Sequence, residues 1–414
     1  MSTPFPSKDS DFERSHGASE VRRRLTSYLR QNGISMHLDV VDSRLEVSYC
    51  SIVHGDYIDF GSGKGRNHQI GAIAEAVEHK VLRKPKNPFG GLIAITDVSL
   101  QPTFESDTFV RYLAEIEPAN KVGTYPFTCA RTNILVHVPA GYVDPGYFET
   151  GSEEHSATDL KFRKYCSNNG CALGLDQSEA ILHGLNEAIE RHYESLLYLD
   201  VLGYPSGTEW FLFEENGDSS FLCKKDLIES KFGQTLTIVS RTSFNSFVAF
   251  SFLVHPIFGY STQIGAGSSI YLRCALLRSI DELAQSLVLT SPTAPGHAEF
   301  AEEEKLLLEK ARIHRGLDRI VSLSAQQLKR QLSRLVCKSS NINQPQLTVE
   351  HQIKLLLSEL GANHTVLIRW FDAGPLLFAC QVFVPSFERM FMLKKGKLVA
   401  PAAYYRQKLK DIST

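Results

Sequence analysis

The stretch Asn168–Arg191, NNGCALGLDQSEAILHGLNEAIER, decides how this chain is read. A turn-forming Asn-Asn-Gly opens it, and a helix is predicted over about 177–198. Side chains three and four residues apart share a helix face. Glu179, His183, Glu187, Glu190 and Glu194 therefore form one stripe, beside an apolar stripe of Ile181, Leu185, Ala188 and Ile189.

Moving outward, the pattern recurs twice. Residues 71–79 read GAIAEAVEH within a helix predicted over about 68–83, which aligns Gly71, Glu75 and Glu78 beside apolar Ile70, Ile73, Ala74, Val77 and Val81. Residues 278–285 read RSIDELAQ within a helix predicted over about 270–288, which aligns Arg278, Glu282 and Gln285. The first two share a Glu-x-x-Glu core preceded by Gly. Like charges at this spacing cost about 0.2–0.5 kcal/mol per exposed pair, and more when buried. A hard divalent cation such as magnesium, held by carboxylates and substrate phosphates, would offset that cost. The plainer reading of any one such pair is a solvated helix face.

The rest of the chain frames these helices. Residues 18–32 read as an amphipathic helix, with Val21, Leu25 and Leu29 on its apolar side. His37–Ser51 alternates like a strand, and the glycine-rich segment Asp59–Arg66 reads as a turn. Residues 91–150 read as strands and loops, and strands are predicted near 235–241 and 246–254. A loop covers 290–300, and residues 301–335 are polar and helical. A helix over 351–360 and two strands within 365–385 complete the pattern. Together they suggest one α/β domain over 51–400 with a polar helical insert near 300–345. Residues 1–50 form an N-terminal helix-and-strand segment packing on it.

Composition narrows the class. Hydrophobic residues are 43%, charged residues 22%, and the net charge is -2, ordinary for a globular chain and without the basic excess of a nucleic-acid binder. The N-terminus lacks an apolar signal core, and no apolar run could span a bilayer. A cytoplasmic protein without nucleic-acid or membrane partners is expected. The eight cysteines show no CxxC pair, which suits reduced, mostly buried thiols. Cys166 and Cys171 read as incidental to a turn rather than as a catalytic thiol. Gly61–Gly65, GSGKG, is not a Walker A loop, because position 58 is Ile and position 65 is Gly. It reads as a flexible turn, or as backbone N–H groups offered to an anion.

The 168–191 run resembles the NG-x-A-x-G…EA…GL-x-E-x-IER segment of the YcaO family. Gly61–His79 resembles that family's earlier helix, Gly265–Gln285 its third, and Phe371–Pro385 its closing strand pair, so the resemblance covers about residues 50–385. It implies a fold of mixed β-sheets flanked by helices, with an ATP site built from three helices. It also implies phosphorylation of a backbone amide oxygen by ATP, giving an azoline or a thioamide in a ribosomally made peptide such as a bacteriocin or microcin precursor. Carried over residue by residue, Glu75, Glu78, Glu187, Glu190 and Glu282 match magnesium ligands. Arg191 and Arg278 match phosphate-contacting arginines, and with Glu282 they form the expected catalytic set. Glu179 matches an acid near the nucleoside, and Lys8 and Ser15, in SKDSDFERS, resemble an N-terminal nucleotide contact.

Some positions depart from the family. Gly71 stands where Ser is frequent, His79 where Arg is, and Leu175 where some members carry Asn. The C-terminal sequence LVAPAAYYRQKLKDIST lacks the Pro-rich tail of many azoline formers, which leaves room for thioamide formation. The implied partners are a precursor peptide and a separate ThiF-like/ocin or TfuA-like protein, and a homodimer is left open. The competing expectation is a non-catalytic ATP-binding accessory to another modifying enzyme, as in ribosomal-protein methylthiolation.

Overall fold

The alternation in His37–Ser51 resolves into two antiparallel strands, β1 (Ser35–Asp42) and β2 (Val47–His54). They belong to a computed structural model that describes residues 13–83, 90–148, 155–215, 220–253, 263–290, 333–337, 346–361 and 363–413. β3 (Tyr57–Lys64) pairs antiparallel with β2 and completes a three-stranded sheet. β2 runs across residue 50, so this sheet joins the N-terminal segment to the larger domain.

Among the described residues there are two further sheets. The second contains β4 (Gly91–Ala94), β5 (Lys121–Cys129), β6 (Leu135–Pro139), β7 (Cys171–Gly174), β13 (Leu367–Phe371) and β14 (Phe378–Phe383), in the order β4-β5-β13-β14-β7 with β6 beside β5. The third contains β8 (Phe211–Glu215), β9 (Thr235–Arg241), β10 (Phe247–Leu253), β11 (Ile264–Ser269) and β12 (Ser333–Cys337), in the order β11-β10-β9-β8-β12. Only its β8–β12 pair is parallel.

The helices lie against these sheets. α1 (Ala18–Gln31) and α2 (His68–Leu82) bury Leu25, Leu29, Ala72, Ile73, Ala76 and Val77 against β2 and against Leu173 and Ala379 of the second sheet. α3 (Ile95–Ser99), α4 (Thr108–Ile116), α5 (Ala140–Val143) and α6 (Ala157–Phe162) cover the β5 side of the second sheet. The long α7 (Gln177–Val201) begins at Asp176, whose carboxylate accepts the Glu179 N–H at 2.8 Å, an N-cap that offsets an otherwise unpaired donor. Its Leu185, Ile189 and Leu197 pack in one cluster with Ile238, Phe250 and Ala266 of the third sheet and with Val382 of β14. α7 therefore joins the second and third sheets. α8 (Ser220–Phe232) and α9 (Leu272–Leu289) cover the third sheet, α10 (Val349–Leu360) packs on α7, and α11 (Ala402–Ser413) on α4.

The segment read as a glycine-rich turn is strand instead. A side-chain carbon added at Gly63 would fall 1.6 Å from His68 O, and one at Gly61 would fall 2.2 Å from Ala72 O. Only glycine lets α2 lie this close on β3. β11 and α9 repeat the device, with Gly265 and Gly267 equally tight against Ser279 O and Ala275 O. The region 91–150, read as strands and loops, also holds α4, because Asp107 caps it through the Phe109 and Val110 N–H groups. The loop read over 290–300 lies from 291 onward outside the described residues, as do 300–332 and 338–345 of the polar helical insert, and 333–337 is strand β12 rather than helix. No helix among the described residues is long and apolar enough to cross a membrane. The described cysteines are free thiols, with Cys50, Cys129, Cys166, Cys171 and Cys380 buried. Burial pushes the Cys166 thiol up to about 12, and burial with the nearby Glu78 and Glu187 raises Cys171 as well, which suits inert core residues.

Candidate active site

The carboxylate stripes of α2, α7 and α9 meet where the three sheets adjoin. Glu75 of α2 accepts the Ser62 N–H at 2.8 Å and the Ser62 hydroxyl at 3.1 Å through one oxygen. Burial, then the negative fields of Glu187 and Glu75, raise Glu78 well above the usual carboxylate range. Burial raises Glu187 too, with Arg191 opposing and the Gly170 backbone N–H donating to it. Burial pushes Glu190 up to about 7, against the pull of Arg191 and with help from Glu282. Glu282 moves the other way: burial works against its charge, but Lys64 and Arg191 hold it below the usual range. Of this acidic pair, Glu190 is the member that binds a proton more readily.

Two arginines are fixed at the edge of the cluster. Arg191 Nη1 donates to Glu194 at 2.9 Å, while Nη2 lies 3.4 Å from Glu190 and 3.7 Å from Glu282, so it spans α7 and α9. Glu194 is buried and also accepts the Tyr198 hydroxyl at 2.7 Å, which anchors the arginine. Arg278 Nη1 donates to Ser268 O at 2.9 Å, and Nη2 pairs with Glu13. Glu13 is buried and also accepts from the Ser269 hydroxyl and from Asn186.

The N-terminal segment reaches the same place. Glu179, only 1% exposed, accepts the Ser15 N–H at 2.6 Å and the His16 N–H at 3.1 Å on one oxygen, and the Leu175 N–H at 3.1 Å on the other. Ser15 is thus placed by its backbone. Lys8 lies outside the described residues. His183, which shares the α7 stripe, is driven well below its ordinary value by burial and by Arg14, Arg278 and Lys64, so it is neutral. Among the described residues, the group whose ligand atoms all lie within 4.8 Å of one another is His16, Asp176 and Glu179, but the Glu179 carboxylate is already taken by those three N–H groups.

Several residues of the cluster were absent from the expectations. Lys64 donates to Glu282 at 3.0 Å, and its Gly-Lys-Gly setting was the available signal. Lys394 lies 3.9 Å from Glu194, and burial with the Arg191 charge lowers the neighbouring Lys395, both on the 3-10 turn Met390–Lys395. Glu13 was missed because its partners lie more than 170 residues away.

The donor set suits a hard divalent ion. It offers oxygens alone, and three carboxylates are raised by burial and by one another's charge. Glu75, Glu78, Glu187, Glu190 and Glu282 could hold it, with Arg191 and Arg278 beside them for phosphate. The model of the YcaO cyclodehydratase family, described as ATP- and Mg2+-binding, matches residues 62–388, more than three quarters of the chain. The chain belongs to the YcaO family. Members of this family bind ATP and Mg2+.

Solved structures share the fold. YcaO from Methanopyrus kandleri, bound with AMPPCP and Mg2+, is 15% identical over 94% of this chain and 95% of its own, with a TM-score of 0.61. A heterocyclase in complex with substrate and cofactor is 12% identical over 94% of this chain and 55% of its own, with a TM-score of 0.62. A chain of the E. coli microcin synthetase McbBCD complex is 15% identical over 85% of this chain and 88% of its own, with a TM-score of 0.55. No curated protein sequence matches the chain.

Proposed function

We propose that this YcaO chain uses ATP to phosphorylate a backbone amide oxygen in a ribosomally made precursor peptide, of the bacteriocin or microcin kind. The observation that carries the reading is the meeting of carboxylates from α2, α7 and α9 beside Arg191, in a chain of a cyclodehydratase family. In this reading Glu75, Glu78, Glu187, Glu190 and Glu282 hold Mg2+. Bound there, the metal would neutralise phosphate charge. Arg191 and Arg278 orient the phosphates through planar paired donors, and Glu179 fixes the Ser15 backbone beside the nucleoside.

An amide oxygen is a poor leaving group and phosphate is a good one. A side-chain thiol or hydroxyl adds to the carbonyl carbon, and the resulting oxyanion attacks the γ-phosphorus as the bond to ADP breaks. Loss of phosphate with the amide proton leaves the C=N bond of an azoline. With sulfide as nucleophile, loss of phosphate leaves a thioamide. The protein's share of the work is positioning and charge stabilisation.

The substrate would be delivered, or its sulfur supplied, by a separate ThiF-like or TfuA-like protein in the cytoplasm. The fold shared with a chain of a microcin synthetase complex supports a partnered enzyme. The test combines the chain, candidate partner, peptide, ATP and Mg2+, and follows peptide mass. Loss of one water per site marks an azoline, and exchange of oxygen for sulfur marks a thioamide. A peptide unchanged with and without sulfide, alongside tight ATP binding without turnover, would favour the accessory role instead.

A further inference from the structure

Lys64 has no role in the proposed chemistry, yet its ammonium lies inside the acidic cluster. Its backbone is clamped. Gly63 on one side lies against the α2 backbone at His68. Gly65 on the other has a φ of +71°, and a side-chain carbon there would fall 2.5 Å from Asp281 of α9. Asp281 is in turn paired with Lys224. The end of β3 is thus held between two of the helices that carry the carboxylates, and the Gly-Lys-Gly sequence is what permits it.

From this position Nζ donates to Glu282 of α9 at 3.0 Å, and the negative fields of Glu190 of α7 and Glu75 of α2 act on it as well. One lysine is therefore shared among all three helices. About a third of its side chain (35%) is exposed, against 18% for Glu282, so the lysine is reachable from outside the cluster. A lysine serving only to tie β3 to α9 would need one carboxylate, whereas Lys64 lies in the field of three. Glu282 is one of the carboxylates that would hold the metal, so a cation at hydrogen-bond distance from it would lie close to the phosphates of a bound Mg2+–nucleotide. A lysine is suited to that contact, being a compact charge on a flexible stem.

We propose that Lys64 is a catalytic residue of this site: it holds the carboxylates of α2, α7 and α9 together in the metal-free chain, and contacts the phosphoryl group in transfer once nucleotide and Mg2+ are bound. The inference rests on the nucleotide-site reading, and the experiment separates the two. Lys64→Met and Lys64→Gln are compared with wild type and Lys64→Arg by three readouts: Mg2+-dependent thermal stabilisation without nucleotide, AMPPCP affinity with Mg2+, and ATP turnover. Removing the ammonium should lower the half-saturating Mg2+ concentration about threefold or more, because the metal no longer displaces a cation. It should also weaken AMPPCP about tenfold and slow turnover about a hundredfold, as expected for one lost charge contact to a transferring group. Lys64→Arg should regain part of both losses. If the neutral variants fold only with Mg2+ present, that result supports the proposal. Mg2+ and AMPPCP affinities within twofold of wild type would overturn it, as would unfolding of both neutral variants that Mg2+ does not reverse. A wild-type chain showing no Mg2+-dependent AMPPCP binding would instead remove the nucleotide-site reading.

Discussion

Glu190 and Glu282 show how one cluster sorts its carboxylates. Glu190 is raised because burial outweighs Arg191, and Glu282 is lowered because Lys64 and Arg191 outweigh burial. The metal-free fold therefore holds a proton on Glu190 that the unfolded chain lacks between its ordinary value, 4.5, and about 7. Stability from this group is present below 4.5 and lost as pH rises through about 7. Neutral histidines such as His192, lowered to about 3 by desolvation, act with the opposite sign below pH 6.5. The difference between wild type and Glu190→Gln isolates the carboxylate. Denaturant unfolding in chelator should show wild type losing stability relative to the variant between about pH 5 and pH 7. A constant difference across that range would contradict the assignment. With nucleotide and peptide present, Glu187→Gln should slow turnover by about a hundredfold or more, read by phosphate release with secondary structure unchanged.

At this scale the sequence was most informative where helix spacing and resemblance agreed. Glu75, Glu78, Glu187, Glu190, Glu282 and Arg191 were all legible, and the structure brings them together. Lys64 and Glu13 were less so. Each meets its partners across sequence separations that no periodicity records, 218 residues for Lys64–Glu282 and 256 for Glu13–Ser269.

Among the elements, the glycine-bearing approaches decide how deeply the helices sit. Gly63→Ala would push a methyl group into the α2 backbone at His68, where backbone cannot yield cheaply. The substitution should cost about 3 kcal/mol or more in denaturant unfolding and move Lys64 off Glu282. Gly17→Ala, with open space around it and a φ of -72°, is the matched control and should change stability by less than about 1 kcal/mol. Equal effects at the two positions would refute the close-approach account. Helix periodicity in α2, α7 and α9 was readable within a few residues, because each carries an unbroken apolar stripe. β3 was not, since glycines that serve close packing look like turn glycines in sequence. α4 was hidden for a related reason: it is nine residues long and set among Pro- and Gly-bearing loops.

At the scale of the whole molecule, the site exists only because three helices resting on different sheets converge. A ligand bridging them should tie those parts together. At a concentration near 100 Kd, Mg2+ with AMPPCP should raise stability by about 2.7 kcal/mol, and a chelator should reverse the rise in Tm. AMPPCP that shifts Tm equally in chelator would show binding outside the carboxylate cluster.

The central claim, that carboxylates from α2, α7 and α9 jointly hold Mg2+ and nucleotide, is tested most directly by calorimetric titration of AMPPCP. Wild type is compared with Glu75→Gln, Glu187→Gln and Glu282→Gln, one substitution on each helix. The account predicts saturable binding to wild type that requires Mg2+, weakened about tenfold or more in each variant. Binding that ignores Mg2+, or that all three variants retain at wild-type strength, would contradict it.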